Sequence, residues 1–190
     1  MKSKYDSDIL EFIDEFEGIT IEQTKKLFFN TKYGYDTARR RLKKLQSEGL
    51  IKVGKDYLTQ KDVYYIVRKP SSHTVMIMNV YAELYSMGVE IVYFQRGFKV
   101  CDKRSDALMI VKYKGIAKMI LLEIDINNRT KDDKYQAAFK QGEIQRKYGT
   151  FPIVLVAEKE RIRKGKNEKI EIGYKLVRTS YTLEGIKQII

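Results

Sequence analysis

Residues 31–53, TKYGYDTARRRLKKLQSEGLIKV, constrain this chain more than any other stretch. They read as a helix that stops at Gly49, where a left-handed C-terminal residue is expected, and pass at once into an apolar strand. At about 100° per residue, Tyr35, Ala38, Leu42 and Leu45 share one side, and Thr37, Arg40 and Lys44 share the other. Asp36, Arg41 and Lys43 lie on the flanks of that second side. One face suits a core and the other suits a polyanion. Arg39 points sideways, so the three consecutive arginines do not make one patch.

The charge distribution sharpens this. Residues 1–31 hold four lysines against seven carboxylates, whereas residues 32–55 hold eight Lys or Arg against Asp36 and Glu48. With a formal charge of +12 and a pI near 9.5 for the whole chain, nucleic acid is the expected partner ahead of a membrane surface. A solvated helix face is the plainer alternative.

Helix signals surround the basic stretch. Asp6 or Ser7 is suited to cap a helix running to residue 17, with Ile9, Leu10, Ile13 and Phe16 facing inward. Thr20 and Gln23 have the spacing of a capping box for a second, short helix. Strands are expected over 50–58 and 63–67, with the turn at 59–62 or at 54–56. Three helices followed by a strand pair predict a winged helix-turn-helix over residues 1–69. There Thr37, Arg40 and Lys44 face the major groove of duplex DNA, and Lys32, Arg41, Lys43, Lys55 and Lys61 meet phosphates.

Pro70, followed by Ser71 and Ser72, marks a boundary. The second module, 74–190, is long enough for its own core. It opens with a helix over 74–87 that is apolar nearly all round, suited to burial or to a homodimer interface. Strand-like runs follow at 89–94, 98–101, 106–113 and 116–126, then an amphipathic helix over 132–148 with Tyr135, Ala138 and Phe139 on one side, and a buried strand over 151–157. A basic loop over 161–169, a strand over 169–177 and a short helix over 183–190 complete an α/β sheet domain.

Single residues exclude several chemistries. Cys101 is the one cysteine and His73 the one histidine, which leaves no disulfide framework, zinc site or serine–histidine triad. Apolar runs such as 119–122 and 151–157 are too short to span a bilayer, and no secretion leader precedes the first helix. A cytoplasmic location is expected.

If Lys114-Gly115 is a two-residue hairpin loop, Asp106 lies opposite Glu123, with Asp125 on the same face as Glu123. Like charges so placed repel. Two resolutions are open: a magnesium ion held by these acids, or neutralisation by Arg129, Lys131 or Lys134. An Asp on one strand, Glu-x-basic on the next and then a helix resembles the core of PD-(D/E)xK nucleases, a restriction-endonuclease-like fold. That resemblance implies that Asp106 and Glu123 bind Mg²⁺. The family's lysine position holds Asp125 here, and Lys134 on the following helix is the candidate replacement.

A wider likeness covers residues 7–157. A winged helix, an apolar helix led by His73, and the block Asp106-Ala-Leu, Glu123-Ile-Asp125, Arg129-Thr130 and 134–139 resemble the plasmid replication-relaxation family. The resemblance implies a mobile-element protein acting on plasmid DNA in replication, relaxation or conjugative transfer, with replication or relaxase proteins as partners. A targeted metal-dependent nuclease and a transcriptional repressor are the alternatives.

Overall fold

The computed structural model describes residues 4–158, 173–181, 183, 186 and 189, and is a mixed α and β protein with six helices among them. The chain divides into two compact units, Met1–Met87 and Gly88–Ile190. Among the described residues, no helix is long and apolar enough to cross a membrane.

In the first unit, α1 (Lys4–Phe16), β1 (Ile19–Thr20), α2 (Ile21–Phe28) and α3 (Gly34–Ser47) precede the ribbon of β2 (Lys52–Lys55) and β3 (Asp62–Tyr65). β3 pairs antiparallel with both β1 and β2. The inward stripes of the helices close one core: Ile9 and Ile13 from α1, Ile21 from α2, and Ala38, Leu42 and Leu45 from α3, with Ile19, Ile51 and Tyr64 from the strands. Thr20 and Gln23 form the expected capping box. Asp6 does not cap α1; it lies inside the helix with 0% exposure. The ribbon turns later than residues 54–56 and closes around Asp56, whose amide donates to the Lys61 carbonyl.

Helix α4 (Ser72–Ser86), read from the sequence as the head of the second module, belongs to the first unit. Polar bonds explain the attachment. The Gln23 side-chain amide donates to the Val75 carbonyl at 3.0 Å and to Asn79 Oδ1 at 2.7 Å, and Lys26 pairs with Glu83. Seven of its residues are buried, Val75 to Met78 consecutively, as an all-round apolar helix requires.

The second unit is built on a mixed sheet of five strands in the order β4 (Glu90–Arg96), β7 (Ala107–Tyr113), β8 (Ile116–Asp125), β9 (Ile153–Glu158), β10 (Leu176–Ser180). β4, β7 and β8 are antiparallel, and β9 and β10 run parallel to β8. A small ribbon of β5 (Lys99–Val100) and β6 (Lys103–Arg104) stands where one strand over 98–101 was expected. The β7–β8 loop is the two-residue turn read from Lys114-Gly115. Both residues have positive φ, 48° and 81°, which suits the right-handed twist of a hairpin. Its register sets Ala107 opposite Leu122, and just beyond that pair the Asp106 amide donates to the Leu122 carbonyl.

The helix expected over 132–148 is two helices, α5 (Gln136–Gln141) and α6 (Glu143–Tyr148), broken where Gly142 takes φ 71°. The expected basic loop 161–169 lies outside the described residues. The expected strand 169–177 is described only from 173 onward, and the expected helix 183–190 only at 183, 186 and 189.

Candidate nucleic-acid interface and carboxylate site

On α3 the buried side carries Ala38, Leu42 and Leu45, and the opposite side splits into free and tethered cations. Arg40 and Lys43 are exposed and make no ion pair among the described residues. Lys44 and Arg41 are tethered: they reach Asp6 of α1 at 3.4 and 3.3 Å, and Lys44 also meets Glu48 at 3.6 Å. Thr37 is half-buried, and its hydroxyl donates to the Tyr33 carbonyl at 3.3 Å. Lys32 is exposed, with its ammonium 5.6 Å from the centre of the Tyr33 ring.

The ribbon lysines are also paired, Lys55 with Asp62 at 2.7 Å and Lys61 with Glu22 at 2.9 Å. Between them Tyr57 projects at 86% exposure. The turn that carries it is fixed by Asp56, which accepts from the Thr59 amide and hydroxyl, each at 2.7 Å. Burial pushes the Asp56 carboxyl up. The Ser72 and Thr59 hydroxyls and the Thr59 and Leu58 amides outweigh it and hold the carboxyl below its usual range.

In the second unit, three residues picked from the sequence converge. Glu123 is buried on the central strand β8, and Lys134 Nζ lies 2.7 Å from its Oε1. The Tyr135 hydroxyl donates to the same oxygen. Asp106 lies close enough across the hairpin to raise the Glu123 carboxyl through its charge. Burial is the larger cause of that upward shift, and it outweighs the hydrogen bonds from Lys134 and Tyr135. Burial and the Glu123 charge also drive the Tyr135 phenol upward, so it stays protonated as a donor.

Asp125 shares the strand but not the partnership. Its carboxylate accepts from the Thr130 amide at 2.8 Å and the Thr130 hydroxyl at 2.6 Å, closing the loop after β8. Arg178 of β10 lies 3.6 Å from Asp125 and 3.0 Å from Glu158, and it also pairs with Asp132 and donates to the Thr130 carbonyl.

The acids as placed do not suit a divalent cation. Asp106 Oδ2 accepts from the Ile124 amide at 2.6 Å, Glu123 Oε1 is taken by Lys134 and Tyr135, and Asp125 is taken by Thr130. Among the described residues, no three Asp, Glu, His or Cys side chains group to hold a metal. Lys134 neutralises Glu123 in this geometry.

No protein-family model, curated protein or solved structure matches the chain. The likeness to the plasmid replication-relaxation family accordingly rests on its short motifs. Sequence reasoning placed Tyr135 on an apolar stripe and missed its hydroxyl's use. It gave Asp6 a capping role in place of its ion pairs and missed Glu158 and Arg178, whose partners lie on other elements; a charged residue inside an apolar stripe, as at Asp6, was the one available signal.

Proposed function

We propose that this chain is a sequence-preferring double-stranded DNA-binding protein, with its first unit a winged helix-turn-helix and α3 its recognition helix. The supporting observation is the pairing of a buried apolar stripe on α3 with exposed, unpaired Arg40 and Lys43 opposite. The order α1-β1-α2-α3-β2-β3, with the β2–β3 ribbon as the wing, agrees with it. In this reading Arg40 and Thr37 approach base edges, and Lys32 and Lys43 set affinity through phosphates. Lys55 and Lys61 flank the wing tip. Lys44 and Arg41 instead fasten α3 to α1 through Asp6, a narrower role than base reading.

From the family resemblance we propose service to plasmid replication, relaxation or transfer. For the second unit we propose a core like that of PD-(D/E)xK nucleases, supported by the antiparallel β4-β7-β8 meander and the parallel return of β9 after α5 and α6. Cleavage is not part of the proposal, because the hairpin acids are already engaged. The test is selection of a preferred duplex from a random pool, followed by Arg40→Ala. The loss on the selected site should exceed that on random duplex by about 1–3 kcal/mol. Equal losses would remove Arg40 as a base reader.

A further inference from the structure

The second unit has an open cleft of about 540 Å³, whose lining includes Lys103, Arg129, Lys131 and Lys134 against Asp102 and Asp133. The charges divide unevenly. Asp102 is neutralised by its neighbour Lys103 at 2.9 Å. Arg129 and Lys131 make no ion pair among the described residues, and they flank Thr130, the residue pinned by Asp125 and by Arg178. The pinned residue fixes the backbone that presents these two cations, so little ordering is left for a ligand to impose.

Lys134 forms part of the lining and is held differently. Its ammonium is held between Glu123 Oε1 at 2.7 Å and the Arg104 carbonyl at 3.0 Å, an all-oxygen setting of the kind that a hard cation takes. We infer that this cleft is a metal-independent binding site for the phosphate backbone of duplex DNA, in which the Lys134 ammonium occupies the place of a divalent cation. It is a second contact surface, additional to α3. Its ligand class follows from fixed cations around an open cleft.

The test uses the full chain and a random 20-base-pair duplex in EDTA. In an Arg40→Ala/Lys43→Ala background, residual binding should persist without metal. Adding Arg129→Ala/Lys131→Ala should weaken it by roughly tenfold and flatten the salt dependence by about two phosphate contacts. Residual binding that ignores the second pair of substitutions, or that requires Mg²⁺, would overturn the inference. The α3 reading is separable. If Arg40→Ala/Lys43→Ala alone changes nothing while Arg129→Ala/Lys131→Ala abolishes binding, the recognition-helix proposal falls and the cleft stands. A second readout concerns Lys134 itself. The thermal midpoint of the wild-type chain should be unmoved by Mn²⁺. Stabilisation of the wild type by Mn²⁺ would contradict the ammonium's role.

Discussion

Asp6 is a carboxylate with no exposed surface, and two of its partners are the Arg41 and Lys44 cations of another helix. Removing the carboxylate returns two half-exposed cations to water, whereas removing the cations deprives a buried carboxylate of two of its partners. Asp6→Ala should therefore cost about 1–2 kcal/mol, and Arg41→Ala with Lys44→Ala about 3 kcal/mol, by urea unfolding. A larger loss for Asp6→Ala would contradict the arrangement. Gly34 is constrained by space: a Cβ there would lie 1.7 Å from the Phe29 carbonyl oxygen. Gly34→Ala should lower stability by about 2–3 kcal/mol, since backbone has to move; an unchanged denaturation midpoint would count against that approach. Asp56 has a carboxyl held below its ordinary value when folded, so its contribution is present above the unfolded pKa and lost as pH falls through the folded one. Asp56→Asn should thus be less stable than wild type at neutral pH, with the gap narrowing on acidification. A pH-independent gap would show that the carboxylate's charge is not what the wing turn uses.

Elements differ in how much of them the sequence discloses. The Lys114-Gly115 loop fixes its hairpin locally, because a two-residue turn sets the register that pairs Ala107 with Leu122. The Thr20–Gln23 box is equally local. The break at Gly142 was not legible, since an isolated glycine is tolerated within a helical pattern until tertiary packing selects its left-handed form. The attachment of α4 to the first unit depends on Gln23 and Lys26, more than fifty residues away in sequence, and the capture of Lys44 by Asp6 joins two helices across 38 residues. Periodicity gives the face of a helix and leaves open which side chains on that face are already engaged. The candidate site follows the same division. Lys134 was expected on the helix after the hairpin and lies instead in the turn before α5, and Tyr135 looked wholly apolar because its ring belongs to the core and only its hydroxyl reaches Glu123.

For the molecule as a whole, the excess of positive charge is informative only after pairing is subtracted. Lys44, Lys55, Lys61, Lys103 and Lys134 are matched by carboxylates, whereas Arg40 and Lys43 on α3 and Arg129 and Lys131 beside the cleft make no ion pair among the described residues. Cations of this kind release counterions from DNA and give binding its salt dependence. The direct test of the central claim is fluorescence anisotropy of the full chain on duplex DNA across a salt series, wild type against Arg40→Ala/Lys43→Ala. Wild type should bind with a steep salt dependence. The variant should bind about tenfold or more weakly, with the log–log slope reduced by about two. Identical affinity and slope for the two chains would contradict the assignment of α3 as the recognition helix.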